Sequence, residues 1–570
     1  MDTARPPTRP PAEPAGAAPS PRAKAAKKDT KLVGPRAFKL LWDAHSVTGI
    51  VIGLGLFVIF YAGAFALYLG EIQAWADPAL RSVETRIAPD EAIAPLFAEQ
   101  APAQGTDVQL TYPYHERGYY FARYQTPVGD TTEVVQAAIN AQTGERLDVP
   151  AGESIGRSAV GLILYRLHFF AQAGFAGQVI AGLVAIFFLF AVASGILIHL
   201  RKLPKDWHTF RPKRKLRDAL ADAHTVLGLI GLPFAAMYAI TGAFLALLII
   251  LLAPSVIVVF GGDQEAAMDL VYGFEVPEHE PTGEPAEMLT FADYEAGLPA
   301  AWAENDVDIT FMIVHGWGDE AAIADVYGDA TGRLSAAPRA ILQASSAELL
   351  VANDPTIGTP LGGTTAAITN LHYARLGEAT TLAKVLYFLL ALATAAVILT
   401  GNVLWVLVRR PKDPRATPKL HRFLARLTVG IGCGLVLAVP VAFLTTALFP
   451  AEAEGLKTWE NVALFGTWAV MIAAAYVGPS PVWSARWMIL AAGVLSLLAP
   501  IASGVATGVW LWTAAGNGWW SHVTIDLGFL LMGAALVWTA RRLRPEKALP
   551  VSSGDGAAPA DAVTQPVLAS

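Results

Sequence analysis

The stretch DAHSVTG at residues 43–49 decides how this chain is organised, because it opens an apolar run and recurs as DAHTVLG at residues 222–228. Each copy places a histidine, His45 or His224, at the beginning of its run, and each run ends in the sequence Gly-Ala-Phe. About 20 consecutive apolar residues are enough for a helix to span a bilayer. The two stretches therefore predict two membrane-spanning helices that begin with the same histidine motif.

Hydropathy predicts further spans around these two. Hydrophobic residues make up 54% of the 570 residues and charged residues 16%, whereas ordinary globular chains have roughly 25% charged residues. The first run begins too late and is too long for a cleaved signal peptide, so we interpret it as a retained span. The fold class that we expect is a polytopic α-helical membrane protein with about eight transmembrane helices. They are predicted at about 47–69, 179–200, 225–252, 382–408, 427–448, 462–478, 487–507 and 519–540.

The charge distribution predicts an orientation. With the N-terminus placed in the cytoplasm, 29 of the 41 Lys and Arg residues fall on the cytoplasmic side, whereas 33 of the 48 acidic residues fall in two long hydrophilic segments, about 70–165 and 254–380. Cytoplasmic loops are enriched in basic residues. We therefore expect a bacterial inner-membrane protein with both termini in the cytoplasm and both long segments in the periplasm. The net charge of −7, with the basic residues mostly in short clusters beside the spans, does not support nucleic-acid binding.

A second set of repeated motifs extends the duplication beyond the two histidine openings. The sequences LHF at 167–169 and LHY at 371–373 precede the second and fourth spans, and strand-like stretches at 119–124 and 309–314 are each followed by a Thr-Gly turn. The strand and turn pattern predicts a small α+β module with an antiparallel sheet in each long segment. The domains that we predict are a disordered tail (1–35), a first repeat (36–205, with its module at about 70–165), a second repeat (206–410, with its module at about 254–380), a C-terminal four-helix transmembrane region (411–545) and a disordered tail (546–570).

Histidines at the ends of the spans are the candidate site residues. Neutral imidazole binds haem iron and several transition metals, whereas the first four spans are nearly free of carboxylates and the only cysteine is Cys433. A b-type haem, which needs one imidazole from each of two facing helices and an apolar slot, fits this composition better than a zinc or non-haem iron site. The predicted ligand pairs are His45 with His224 toward the cytoplasm and His168 with His372 near the periplasm, with His199 and His421 as alternative ligands on the cytoplasmic side.

Glycines near these histidines allow two interpretations. Gly49 and Gly228 lie one turn after His45 and His224, and Gly53 and Gly55 follow on the first span. They could give a porphyrin room against the helix, or they could let helices pack closely.

The depth of the His168 and His372 pair in the membrane depends on whether one continuous helix joins His168 to His199. The 31 residues from His168 to His199 would cover about 46 Å in one straight helix, which places His168 at or beyond the edge of the hydrocarbon. Gly174 and Gly177 are the residues that could break or tilt this helix.

The order of these motifs resembles the PepSY-associated transmembrane helix family over about residues 36–410. Members include iron-regulated inner-membrane proteins and ferric siderophore reductases that carry b-type haem. The resemblance implies two haem b groups and electron transfer to Fe(III), held by a siderophore or another periplasmic iron chelate. No flavin or nucleotide motif is evident, so the electron donor would be separate, a quinol or a cytoplasmic reductase. Two alternatives stay open, a metal or siderophore permease and a non-catalytic PepSY regulatory membrane protein.

Overall fold

The computed structural model describes residues 34–81, 86–113, 117–147, 155–200, 210–211, 216–277, 279–409, 418–450 and 454–543. The predicted tails lie outside this range, apart from residues 34 and 35 of the first. The described helices are α1 (Pro35–Ala66), α2 (Leu69–Ala76), α3 (Pro89–Glu99), α4 (Val160–His168), α5 (Gly174–His199), α6 (Leu216–Ile230), α7 (Leu232–Phe260), α8 (Gln264–Tyr272), α9 (Phe291–Ala296), α10 (Ala300–Glu304), α11 (Pro360–His372), α12 (Thr380–Val408), α13 (Lys419–Leu448), α14 (Leu456–Asn461), α15 (Thr467–Val477), α16 (Pro481–Thr507), α17 (Leu511–Gly516) and α18 (Trp520–Arg542).

The predicted number of membrane spans is confirmed. Among the described residues, seven helical stretches are long and apolar enough to cross a membrane, and an eighth is counted if α6 and α7 form one bent span. The seven are α1, α5, α11 with α12, α13, α14 with α15, α16 and α18. A π-helical turn at Val462–Gly466 joins α14 to α15.

The third predicted span is bent rather than continuous. Its two parts, α6 and α7, meet at an angle of 67° around Gly231. Pro233 follows directly, and a proline disrupts a helix because its ring clashes with the preceding turn and its nitrogen cannot donate a hydrogen bond. The bend separates the part that carries His224, α6, from the part that carries Thr241 and Gly242, α7.

His168 and His199 do not lie on one continuous helix, because the chain breaks at Gly174, one of the two glycines named above as possible break points. His168 is the last residue of α4, and α5 begins only at Gly174. Between them Phe170 has a φ of 57° and Gly174 a φ of 61°, a backbone region in which an α-helix cannot continue. Because α4 packs against α1, His168 lies beside that span, which removes the 46 Å separation that a straight helix would impose.

The strands of both long segments form one sheet. They are β1 (Val108–Thr111), β2 (Tyr119–Val128), β3 (Thr131–Asn140), β4 (Arg146–Leu147), β5 (Val307–His315), β6 (Ile323–Ala330), β7 (Arg339–Gln343) and β8 (Leu349–Ala352). The order is β4-β3-β2-β1-β5-β6-β7-β8, and every neighbouring pair is antiparallel. Pairing of β1 with β5 joins the two predicted modules, and it removes two exposed strand edges.

One face of this sheet carries the core of the sheet domain. Residues alternate along β2, where Ala122 and Tyr124 are buried and Arg123 is exposed, as expected for a half-buried strand. The buried face packs against α3, α9 and α10, and Tyr294 and Trp302 are among the buried side chains that these short helices contribute.

Candidate functional site

The structure brings His45 of α1 and His224 of α6 together, on the part of the helix bundle that lies away from the sheet. Their ring centres are 6.3 Å apart and the ring planes make an angle of 77°. His45 Nδ1 lies 3.0 Å from the Ala191 carbonyl oxygen and 3.2 Å from Ser194 Oγ on α5. We call this arrangement the sheet-distal pair.

His224 makes the corresponding contacts with α12. Its Nδ1 lies 2.9 Å from the Val397 carbonyl oxygen and 3.4 Å from Thr400 Oγ1. A glycine follows the hydroxyl residue in both helices, and a Cβ added there would lie 3.3 Å from His45 Cε1 at Gly195 and 3.0 Å from His224 Cε1 at Gly401. In the Ser-Gly and Thr-Gly endings of these spans, the hydroxyl therefore contacts the imidazole Nδ1 and the glycine leaves room for Cε1. The sequence motif alone did not reveal this role.

His168 and His372 form a second pair, which we call the sheet-proximal pair. They are the last residues of α4 and α11, and their ring centres are 5.9 Å apart with an angle of 44° between the planes. His168 Nδ1 lies 2.7 Å from the Ile59 carbonyl oxygen. His372 Nδ1 lies 2.9 Å from Thr241 Oγ1. Both pairs anticipated from the sequence are thus adjacent in space.

Glycines again permit the close approach. A Cβ at Gly63 would lie 2.5 Å from His168 Nδ1, and one at Gly242 would lie 3.7 Å from His372 Cε1. These glycines belong to the Gly-Ala-Phe endings of the first and third spans. Their spacing in the sequence showed that they recur, but only the packing of α4 and α11 shows that they face imidazoles.

An apolar cavity opens between the helices that carry the sheet-proximal pair. The empty space there is about 1120 Å³, part of which is open solvent, and both histidines line it. Most of the other lining side chains are apolar, and several are as small as Gly or Ala. The lining residues are Leu56, Ile59, Phe60, Gly63, Ala66, Leu67, Tyr165, His168, Phe169, Gln178, Ala181, Ala185, Phe188, Phe234, Tyr238, Gly242, Leu245, Ala246, His372, Tyr373 and Ala391.

The hydrogen bonds set the tautomer of all four imidazoles. A carbonyl oxygen only accepts, so Nδ1 donates in His45, His168 and His224. Thr241 Oγ1 donates its own proton to the Met237 carbonyl oxygen at 2.9 Å, so it accepts from His372 Nδ1. A neutral imidazole that donates from Nδ1 carries a lone pair on Nε2. No described residue is hydrogen-bonded to these four Nε2 atoms.

The donor set fits a planar metal macrocycle better than a bare metal ion. A metal-bound imidazole nitrogen lies about 2 Å from the metal and the ring centre roughly 1 Å further, so two axial imidazoles are centred roughly 6 Å apart. Both pairs have this spacing. Among the described residues, no three His, Cys, Asp or Glu side chains are placed to hold a metal ion. The remaining ligands would therefore come from the macrocycle, as in haem.

The glycines beside the sheet-distal pair have different surroundings. A Cβ at Gly49 would meet no heavy atom within 4 Å, and one at Gly228 only Val397 Cγ1 at 3.9 Å, so this face of each helix is open. At Gly53 a Cβ would lie 2.5 Å from Asn402 Oδ1, and at Gly55 it would lie 3.6 Å from Phe170 Cζ. The interpretation of Gly53 as open clearance is wrong, because the Asn402 side chain of α12 occupies that space.

Three further histidines at span ends, His199, His421 and His522, have different surroundings. His199 is close enough to interact electrostatically with His45 and His224. His421 contacts the Trp405 ring edge-on, with ring centres 5.2 Å apart. His522 is buried in α18 beside Asp526. Within the described part of the chain, His421 makes no ring contact with a member of either pair.

Comparison with known proteins agrees with this architecture. A family model described as "PepSY-associated TM region" matches residues 42–407, which is more than half of the chain and contains all four paired histidines. A similar protein is "Uncharacterized protein PA4219" of Pseudomonas aeruginosa, 28% identical over 414 residues that cover 69% of this chain and 98% of the relative. Helices α13 to α18 lie beyond the family match. This chain belongs to the family of membrane proteins with a PepSY-associated transmembrane region.

Proposed function

We propose that this protein is a b-type haem protein of the bacterial inner membrane that carries electrons across the bilayer and reduces Fe(III) in the periplasm. The observation that supports this most strongly is the presence of two imidazole pairs with the spacing of axial ligands, each ring donating from Nδ1 and presenting Nε2. His45 and His224 would hold one haem and His168 and His372 the other, and haem iron supplies reversible one-electron chemistry.

The separation of the two pairs suits transfer through the membrane. His45 and Ile59, whose carbonyl receives the His168 hydrogen bond, lie 14 residues apart on α1, which corresponds to about 21 Å. The two sites therefore occupy different depths of one helix bundle. The residues around each site fix the ring orientation with backbone carbonyls and hydroxyls, an arrangement that tunes and positions metal ligands in general.

The reaction that we propose is a one-electron reduction per iron. Fe(III) bound by a siderophore or another periplasmic chelate accepts one electron and becomes Fe(II), which a hard oxygen chelator holds less tightly. The donor is a quinol or a cytoplasmic reductase. A quinol oxidised to the quinone supplies two electrons and releases two protons, enough for two ferric ions.

A reduced-minus-oxidised spectrum of the purified protein, with haem quantification, tests the proposal. We expect two haem groups per chain in the wild type and one after His168→Ala or His372→Ala, with loss of ferric reduction. His45→Ala or His224→Ala should remove the other haem and block electron entry. His421→Ala is the matched control, since it replaces a histidine at a span end that contacts Trp405 instead of a second imidazole. Absence of haem from the wild type would refute the proposal.

A permease is the second candidate, and the 67° break between α6 and α7 favours it, because broken helices line the substrate sites of many transporters. Uptake of a labelled iron chelate into proteoliposomes without any reductant distinguishes the two functions. Transport in that assay by a haem-free protein would favour the permease.

A further inference from the structure

The wall of the cavity beside the sheet-proximal pair carries two hydroxyl groups that the ligand assignment does not use. Tyr165 lies one turn before His168 on α4, and Tyr373 follows His372 at the end of α11. Their hydroxyl oxygens are 3.2 Å apart, and both side chains line the cavity. Two hydroxyls carry two protons, and one of these is used within the pair. The other proton is free to bind an acceptor inside the cavity.

Arg375 adds a positive charge beside Tyr373. Its guanidinium carbon lies 5.2 Å from the centre of the Tyr373 ring, and the residue is exposed. It is close enough to interact electrostatically with Tyr165 and Asp329. Among the described residues, however, no carboxylate lies within ion-pair distance of its guanidinium. Arg375 therefore has an unused fork of N–H donors, the group that proteins use most often to bind carboxylates.

The rest of the cavity wall has few polar side chains that could bind a ligand. Apart from the two histidines, Tyr165 and Tyr373, the polar side chains on its wall are Tyr238 and Gln178. The Tyr238 hydroxyl donates to the His372 carbonyl oxygen at 2.8 Å, and the Gln178 amide nitrogen donates to the Ala246 carbonyl oxygen at 3.3 Å. Pockets of this kind bury the apolar part of a ligand and use a few polar groups to fix its orientation. Here Tyr165, Tyr373 and Arg375 are the polar groups, and they lie next to one another.

We propose that Tyr165, Tyr373 and Arg375 form a recognition site for the ionised carboxylates of a planar dicarboxylate macrocycle whose metal binds His168 and His372. The proposal rests on the function proposed above and adds the orientation of the ligand. In this orientation the carboxylate edge would lie at Tyr165, Tyr373 and Arg375, and the apolar edge would contact the cavity wall that includes Phe60, Phe188 and Phe234.

A different role for these residues would be purely structural, since the hydroxyl pair also ties α4 to α11. The two roles differ in one measurable respect. A structural tie does not distinguish a ligand with free carboxylates from one with esterified carboxylates, whereas a carboxylate site does.

The test uses the full-length chain with His45→Ala and His224→Ala, purified without haem, so that the sheet-proximal pair alone titrates. Iron protoporphyrin and its dimethyl ester are titrated separately, and binding is followed by the Soret absorbance of the bis-imidazole complex. We expect the free acid to bind about tenfold more tightly than the ester, as one charge-assisted hydrogen bond at a partly exposed site would give. Arg375→Gln should reduce this ratio to about one, and the double change Tyr165→Phe with Tyr373→Phe should lower it as well.

Arg166→Gln is the matched control, because Arg166 is an exposed arginine next to Tyr165 in the chain, whereas among the described residues it is Arg375 whose guanidinium lies over the Tyr373 ring. It should leave the ratio unchanged. The ester affinity of Arg375→Gln reports on folding and should stay within about twofold of the parent. Equal binding of acid and ester by the parent, or an unchanged ratio in Arg375→Gln, overturns the carboxylate site. Failure of both macrocycles to give a bis-imidazole spectrum, in this chain and in the wild type, overturns the proposed function instead.

Discussion

At the scale of single residues, the position of one proton on each imidazole governs what the candidate site can bind. Three of the four rings donate to backbone carbonyls, which side-chain substitution cannot remove. His372 is different, since its acceptor is the hydroxyl of Thr241. A substitution at Thr241 can therefore remove the hydrogen bond that fixes the tautomer of His372.

We predict that Thr241→Val weakens haem binding at the sheet-proximal pair by roughly 10- to 100-fold, the usual loss when the hydrogen bond to a metal-bound histidine is removed. Thr241→Ser keeps the hydroxyl and should restore binding. The measurement is a haem titration of the full-length chain with His45→Ala and His224→Ala. Equal affinities for the Val and Ser variants would contradict this role of the hydroxyl.

A second residue-scale prediction concerns pH and the sheet domain. Burial of His315 disfavours its charged form, but hydrogen bonds and charge from Asp107 and Asp325 outweigh this and raise the pKa of His315 to about 9. His315 Nδ1 lies 3.2 Å from Asp107 Oδ2, Nε2 lies 3.8 Å from Asp325 Oδ2, and the His279 ring is centred 5.5 Å away.

A histidine whose pKa is raised by folding stabilises the fold fully below its unfolded pKa, about 6.5. That contribution disappears as the pH rises through about 9. We expect the exchange protection of β5 amides, measured by hydrogen exchange with correction for the intrinsic rate, to fall between pH 7 and pH 10. The fall should be absent in His315→Gln and present in His279→Gln. A fall of the same size in His315→Gln would assign the effect to another group.

At the scale of elements, the site depends on two helix breaks and on a glycine that lets neighbouring helices approach closely. The break before Gly174 frees α4 to lie along α1, and the bend at Gly231 lets α6 carry His224 while α7 faces His372. Gly63 on α1 is the contact that allows α4 to approach.

Gly63→Ala should displace the His168 ring, because the new Cβ would lie 2.5 Å from Nδ1, a separation that real side chains do not adopt. We expect loss of about one haem per chain in the spectrum of the purified protein. Gly55→Ala is the matched control two turns away on the same helix, where the new Cβ would make an ordinary contact of 3.6 Å with Phe170. Full haem content in Gly63→Ala would mean that His168 does not hold haem in this position.

At the scale of the whole molecule, buried polar contacts fasten the C-terminal helices to the part that matches the family. Glu460 is fully buried and accepts hydrogen bonds from Ser158 Oγ and the Ala159 amide, both at 2.6 Å, and from Thr446 Oγ1 at 2.7 Å. A second contact joins Trp75 Nε1 to Asp526 at 2.9 Å. The C-terminal region is therefore an integral part of the fold.

Glu460→Ala should lower the free energy of unfolding by roughly 3 kcal/mol or more, since it leaves several buried donors without an acceptor. Thermal unfolding in detergent, followed by circular dichroism, measures the effect. Glu454→Ala, at an exposed glutamate shortly before α14, should leave the unfolding midpoint unchanged. Equal midpoints for the two variants would show that the Glu460 contacts contribute little.

Orientation is the remaining whole-molecule prediction. Reporter fusions at Gly144 and Gly332, which occupy the turns of the sheet domain, should report a periplasmic location. A fusion at Lys213, in a basic segment between α5 and α6, should report the cytoplasm. The reason is the concentration of basic residues on the side opposite the sheet. A cytoplasmic signal at Gly332 would reverse the orientation and place the sheet inside the cell.

The sequence by itself determined the membrane class, the approximate spans, the strands and which histidines to compare. These properties depend on local patterns, namely apolar length, alternation and motif recurrence, which are legible without a structure. Only the tertiary structure decided that Gly174 and Gly231 mark helix breaks, that the two sets of strands share one sheet, and that Asn402 fills the space at Gly53. It also revealed the acceptor of each Nδ1 proton. These features depend on contacts between residues more than 100 positions apart or on competition between backbone conformations, and neither leaves a periodic signal in the chain.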